Sequence, residues 1–362
     1  MNKKQTIAVG MSGGVDSSVT ALLLKEQGYN VIGVIMKVWS GEEISDAVKV
    51  NSSCYGPDEA EDIAAAKEVA KAIGVELYEV DLKEEYKNEV IDYFRGEYAE
   101  GRTPNPCVKC NWKIKFGDLI KKAREMGLVF DKFATGHYAS VEYDEGSGRY
   151  LLKRAKDRSK DQTYFMSFLS QDQLSECVFP LGVFLKSEIK EKAKNLGLKL
   201  EEKKESQNFA AMGHESLLGG LSKPGDFVDT EGNVLGEHRG IPFYTIGQRK
   251  GLGVSHSFPL YVIAINKDKN QVVLGAKEKL VGYKLIAKNP NWIAFEKLEG
   301  VIEVSAKIRY VQKEYQARLT PRIDDKVLVE FFDPQSAITP GQTVVFYQDD
   351  LVVGAGVIEE AL

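Results

Sequence analysis

Two cysteines stand three residues apart in the stretch GRTPNPCVKCNWKIKFG, residues 101–117, behind a Pro-Asn-Pro run. Pro104 and Pro106 fix φ and restrict the residues before them, so Cys107 and Cys110 are delivered on stiff backbone. Such a pair serves as a metal clip, a disulfide or a nucleophile with a helper. Four cysteines, Cys54, Cys107, Cys110 and Cys177, are too few for a disulfide framework in 362 residues, which leaves metal binding and catalysis. Lys109, Lys113 and Lys115 lie close in sequence, and their charge favours the thiolate, the nucleophilic form of cysteine.

A second chemical stretch is AVGMSGGVDSSVTALLL, residues 8–24, which reads as a strand, a Ser-Gly-Gly turn and a helix. Positive φ at Gly13 and Gly14 would turn successive backbone N–H groups into one nest, and the helix start adds its dipole and orphan donors. The expected anion cradle is Gly10, Met11, Ser12, Gly13, Gly14, Val15, Asp16 and Ser17. Its spacing matches neither G-x-x-x-x-G-K-[ST] nor G-x-G-x-x-G, so neither a Walker ATPase nor a dinucleotide-binding dehydrogenase is indicated. Asp16 either helps hold Mg²⁺ on the phosphates or caps the helix.

The elements that must position these groups alternate between strand and helix as far as about residue 178. IAVGM, NVIGVIMKVW, VELYEVDL and FDKFATGHYA read as strands; SSVTALLLKEQG, AEDIAAAKEVAKAIG, EYKNEVIDYFRGEYAEG and FGDLIKKAREMG read as helices. That order implies a parallel α/β sheet, with a ligand at the carboxyl ends of the strands beside Met36, Gly136 and His137. Residues 40–57 read as a long polar loop containing Cys54. Glycine-rich short strands follow from about residue 204, and from about 279 a run of β segments suggests a small barrel. The expected domains are therefore 1–203, catalytic; 204–278, a small central β-rich domain; and 279–362, a C-terminal β-barrel.

With 43% apolar residues the chain can fill several cores, and its net charge of -5 argues against coating nucleic acid nonspecifically. Locally, KCNWKIKFGDLIKKAR carries six Lys or Arg against Asp118 alone. TIAVGM is too short for a signal or a membrane span, so a cytoplasmic protein without membrane attachment is expected.

SGGVDSS after an N-terminal strand resembles the pyrophosphate loop of the PP-loop ATP-pyrophosphatases. GMSGGVDSS, GRTPNPCVKCNWKIKFG, ATGHYA, KDQTYFMSFL, TIGQRKGLG, KIRY and TPGQTVVFY then occur in the order seen in tRNA-specific 2-thiouridylases of the MnmA type, and together span nearly the whole chain. The resemblance implies a transferase that uses ATP and Mg²⁺ to adenylate the wobble uracil of tRNA, after which a sulfur attacks C2 and AMP leaves. It places the nucleophile at Cys110. It also implies tRNA contacts from Pro104, Asn105, Pro106, His137, Lys160, Asp161, Gln162, Arg309, Tyr310 and Gln342, and a sulfur donor that is either a protein or hydrosulfide.

The chain departs from the family where a second catalytic cysteine is usual: KKESQNFAAMG has Ala210 there. Three explanations stay open. Cys54, Cys107 and Cys110 could ligate a [4Fe-4S] cluster with one iron left for hydrosulfide; Cys107 could replace the lost partner in a disulfide cycle; or the cysteine was removed or the activity changed. Two other functions also remain: a PP-loop ligase or amidotransferase acting on a small molecule, and a non-catalytic tRNA-binding metal protein. Cys177, in LSECVFPLG, reads as buried structure.

Overall fold

The computed structural model describes residues 4–41, 53–195, 208–210 and 214–362, so most of the loop expected at 40–57 lies outside the described residues. The apolar runs form strands as expected. β1 (Thr6–Gly10) and β2 (Asn30–Lys37) pair in parallel, and the sheet reads Glu76–Asp81, β2, β1, Lys132–Thr135, Cys177–Val178, with every neighbour parallel. The order reverses between β1 and Lys132–Thr135, which opens a crevice at the carboxyl ends of those two strands.

Helices α1 (Val15–Glu26) and α2 (Glu59–Ile73) cover one face, burying Ala21, Leu24, Val69 and Ile73 against Ile7 and Val9. α2 stops at Gly74, whose φ of 66° is the left-handed conformation that glycine adopts without a Cβ penalty. The other face carries a larger core with Tyr86, Phe94, Ile114, Phe116 and Phe133.

The cysteine run and the basic segment after it are one helix, residues 106–125, which begins well before the helix read from FGDLIKKAREMG. Pro106 sits at its first turn, where the missing N–H costs nothing, and Asn105 caps it by accepting from the Val108 N–H at 3.2 Å. The turns Cys110–Asp118 are π-helical, with i→i+5 hydrogen bonds.

Beyond the parallel sheet the pattern changes. The hairpin Ala139–Asp144/Arg149–Arg154 pairs antiparallel and joins the last strand of the C-terminal domain through Lys153 and Leu351. That domain is a closed barrel of six strands, Val281–Trp292, Lys326–Ser336, Tyr315–Arg322, Ile302–Lys307, Thr343–Gln348 and Leu351–Ala361, the last pairing back to the first. Closure removes exposed edges. Between barrel and parallel sheet, four short strands (Gly225–Val228, Val234–His238, Tyr261–Asn266, Gln271–Gly275) form a small sheet over Phe227, Tyr244, Val262 and Leu274. The segment Asn208–Ala210 runs back to the first domain and pairs in parallel with Ser53–Tyr55, setting Tyr55 opposite Ala210. Among the described residues no helix is long and apolar enough to cross a membrane.

The hairpin is fastened to the barrel by Arg149, which donates to the carbonyls of Ile293 and Trp292 at 2.9 Å each. Arg149→Met is expected to cost about 2 kcal/mol, the order for losing hydrogen bonds from a charged donor. The measurement is the urea midpoint of barrel unfolding, and an unchanged midpoint would rule this fastening out.

Candidate active site

At the end of β1 the Met11 N–H still donates to Val34 (2.8 Å), and the chain then turns at Gly13, with φ of 71°. A Cβ at Gly13 would stand 2.8 Å from the Asp62 carbonyl, so α2 presses directly on the turn. Gly14 departs from the sequence expectation. Its φ is -86° with ψ of 166°, the extended conformation of a helix N-cap, so only one of the two glycines needs positive φ. Ser18 and Ser17 donate their hydroxyls back to the Gly14 carbonyl at 2.7 and 3.2 Å, and Ser17 Oγ accepts from the Ser12 N–H. Val15, Asp16 and Ser17 form the first turn of α1, where N–H groups lack intrahelical acceptors and face the crevice end of the sheet.

Asp16 makes no cap, which corrects that alternative. Its carboxylate receives Lys186 Nζ at 2.8 and 2.7 Å and the Tyr138 hydroxyl at 3.0 Å. Tyr138 is held in turn by Gln162, whose Oε1 accepts its N–H at 2.9 Å. Lys186 lies 170 residues from Asp16, and no spacing rule in the sequence signals the pair. Gly136 closes the far side: a Cβ there would fall 2.7 Å from Asp16 C and Ser17 N, so only glycine lets this strand end reach the loop. Gly10 and Met36 lie on the neighbouring strand ends, as expected.

The cysteines follow a gradient of exposure: Cys54 is exposed, Cys107 intermediate and Cys110 buried. Burial pushes Cys110 up to about 11 and Cys107 up to about 12, with Lys115 opposing in both cases. The expectation of three lysines favouring a thiolate is therefore corrected. Lys109 pairs with Glu89 (3.1 Å), Lys113 sits over the Trp112 ring at 3.9 Å, and burial outweighs the one remaining cation. For Lys115 burial is the largest influence and lowers its pKa, yet Cys110, Cys54 and Cys107 together raise it above the usual lysine value. The three cysteines thus share one neighbourhood. Among the described residues, however, no group of three His, Cys, Asp or Glu side chains is placed to hold a metal ion, so as folded they are not a preformed ligand set.

His137 bridges nucleotide edge and cysteines. Its Nδ1 lies 2.7 Å from Thr135 Oγ1, and burial, then the Lys115 charge, lower its pKa to about 3. It is neutral at pH 7. Cys177 is buried, as expected.

The expected tRNA-facing residues gather at the junction of the domains, but several are turned inward. Asp161 is buried, accepting from the Ala155 N–H (3.0 Å) and the Thr163 hydroxyl (2.7 Å), beside Lys160 and Gln162. The Arg309 guanidinium donates to the Ala337 carbonyl and Thr339 Oγ1 at 2.6 and 2.8 Å, and the Tyr310 ring lies 4.3 Å from Phe165. Gln342 donates Nε2 to the carbonyls of Thr103 and Pro104 at 3.0 and 2.9 Å, while the Thr103 N–H donates to Pro340 at 2.9 Å. A Cβ at Gly341 would lie 2.8 Å from the Thr103 carbonyl. The barrel therefore clamps the backbone leading to Pro104, Asn105 and Pro106. Thr103, Arg309, Thr339 and Gln342, with residues 245–248, line an open cavity of about 440 Å³. TIGQ was visible in sequence only as a motif; its place beside the clamp was not.

Residues 5–213 match the family model of the tRNA methyl transferase HUP domain, 220–276 that of the tRNA methyl transferase PRC-barrel domain and 283–358 that of the aminomethyltransferase beta-barrel domain. The chain is 49% identical over 367 residues to tRNA-specific 2-thiouridylase MnmA 1 of Thermoanaerobacter pseudethanolicus, covering 99% of each. To MnmA of Caldicellulosiruptor saccharolyticus it is 46% identical over 367 residues, again covering 99% of each. Among solved structures, the U34-tRNA thiolase NcsA of Methanococcus maripaludis with its [4Fe-4S] cluster is 21% identical, over 59% of this chain and 63% of that one, with a TM-score of 0.33, too low to argue from.

Two outcomes are expected. Gln342→Ala should cost about 1–2 kcal/mol in two lost hydrogen bonds and raise the alkylation rate of Cys107 several-fold, followed by mass spectrometry. His137 has a folded pKa below its unfolded value of about 6.5. Stability is therefore complete above that pH and is lost as pH falls towards 3, by at most about 1.36 kcal/mol per unit. His137→Gln should flatten that part of the pH–stability curve.

Proposed function

The chain belongs to the MnmA family of tRNA-specific 2-thiouridylases, and on that premise we propose that it thiolates C2 of the wobble uridine of tRNA at the expense of ATP. What supports this most directly is a single juxtaposition. Gly136 packs on the anion cradle at the end of β1, the next residue, His137, feels the charge of Lys115, and Lys115 in turn is influenced by Cys110.

The chemistry requires both halves. A uracil carbonyl oxygen is a very poor leaving group. ATP held at residues 10–17 lets that oxygen attack the α-phosphorus, pyrophosphate departs, and the oxygen becomes part of a good leaving group. The terminal sulfur of a Cys110 persulfide then attacks C2, and AMP leaves with the C–O electron pair. A second thiol attacks the Cys110 sulfur, forming a disulfide and releasing the C2=S product. Cys107, three residues earlier on the same helix, is that second thiol; an external dithiol reduces the disulfide, and a persulfide donor reloads Cys110. Asp16 is already committed to Lys186, so a magnesium ion arriving with ATP would share or displace that ammonium. The target base lies in a single-stranded loop, which makes its extrusion inexpensive. The exposed Lys121 on the 106–125 helix supplies salt-sensitive attraction for the RNA backbone.

A second reading has Cys54, Cys107 and Cys110 as thiolate ligands of a [4Fe-4S] cluster, and the observation behind it is their nearness to one another. Protein purified without oxygen decides: near-stoichiometric iron and acid-labile sulfide, lost in Cys54→Ala, would replace the persulfide route, and iron-free protein would retain it.

For the activity itself, the expected result is AMP release that depends on tRNA, with 2-thiouridine formed in step. Cys110→Ser should lose thiouridine by orders of magnitude while tRNA binding persists. AMP release indifferent to tRNA would mean a small-molecule ligase instead, and none at all a binding protein.

A further inference from the structure

Lys115 differs from the other lysines around the cysteines. Lys109 has Glu89, Lys122 has Glu85 and Lys186 has Asp16, but among the described residues no carboxylate pairs with Lys115. Its backbone explains where its charge points. In an α-helix a residue five positions on is rotated about 140° away, whereas the i→i+5 turns of Cys110–Asp118 stack Lys115 on the face of Cys110. Against this face packs the short helix Lys83–Tyr86. Tyr86 is fully buried, and its hydroxyl has no hydrogen-bond partner among the described residues. Its ring stacks on Tyr55 (5.2 Å between centroids, planes 9° apart), next in sequence to Cys54. Tyr86 senses all three cysteines, as Lys115 does.

Lys115 is half-buried with no carboxylate partner among the described residues, and a fully buried hydroxyl without a partner, that of Tyr86, is costly. Cys107 and Cys110 do not supply a negative charge at neutral pH, because burial pushes both thiols up, to about 12 and about 11. We propose that Lys115 and Tyr86 form a receptor for a small sulfur anion beside Cys110, the ammonium providing charge and the hydroxyl a directional donor. The proposal rests on the thiolation reading above and adds to it the place where the sulfur waits. Two donors among Tyr55, Ile114 and Phe116 suit a weakly hydrated sulfur anion better than a phosphate, whose oxygens demand more hydrogen bonds.

The test needs neither ATP nor tRNA, so its failure is separate from failure of the thiolation reading. In a Cys54→Ala, Cys107→Ala, Cys177→Ala background Cys110 is the sole thiol. Its alkylation rates with anionic iodoacetate and neutral iodoacetamide are compared. A cationic receptor should raise the iodoacetate/iodoacetamide ratio about tenfold over that of a cysteine peptide. Lys115→Met should return the ratio to the peptide value, Tyr86→Phe should lower it part of the way, and Lys115→Arg should restore it, which separates charge from misfolding. A ratio equal to the peptide's, or one indifferent to Lys115→Met, overturns the proposal. Calorimetric titration of the same background carrying Cys110→Ser identifies the occupant. Heat with sodium hydrosulfide that Lys115→Met abolishes assigns free hydrosulfide, and no such heat with the ratio retained assigns the terminal sulfur of a Cys110 persulfide. Heat from inorganic phosphate instead overturns the proposal.

Discussion

Three hydrogen bonds at residues 103 and 104 decide where the reactive end of the molecule lies. The barrel supplies the Pro340 carbonyl and the Gln342 amide; the first domain supplies the Thr103 N–H and two carbonyls. Proline stiffness then carries that placement forward to Asn105, which caps the helix, and so to Cys107 and Cys110. A rigid arm is useful only if its base is fixed. The closed barrel, with no edge to slip, is a firm base, and Tyr164 adds a further tie by donating to the Thr343 carbonyl at 2.8 Å. The C-terminal domain is thereby a structural part of the cysteine site.

The nucleotide end is organised by charge instead of stiffness. Lys186 neutralises Asp16, Tyr138 orients it, and Gln162 orients Tyr138. The motif KDQ therefore acts through its glutamine on the phosphate loop, with Asp161 buried as an internal brace. Neutral His137, one residue beyond Gly136, feels the charge of Lys115, which in turn is influenced by Cys110.

Local features were legible in the sequence. Apolar runs such as IAVGM and NVIGVIMKVW became parallel strands, Gly13 took positive φ, and the β-rich tail closed into a barrel, because propensity, turn chemistry and burial agree there. Whatever depended on distant partners was not. Lys186 on Asp16, Gln342 on Thr103 and the hairpin shared with the barrel join residues 170, 239 and 198 positions apart, with no periodicity to announce them. The cysteine electrostatics were misjudged for a related reason. Proximity in sequence put three lysines beside the thiols, whereas helix geometry sent Lys109 and Lys113 to Glu89 and Trp112 and left burial to dominate.

The pairing of Ser53–Tyr55 with Asn208–Ala210 has a consequence for Cys54. A two-stranded ribbon three residues long is among the least stable units a fold contains, and such units open locally long before the whole domain unfolds. Cys110 is fixed by a helix, whereas Cys54 depends on this ribbon, which the buried Tyr55 ring, packed on Trp39 and Tyr86, anchors to the first domain. The thiol nearest to solvent is thus placed by a pairing with Asn208–Ala210, while the helix of residues 106–125 places the other two.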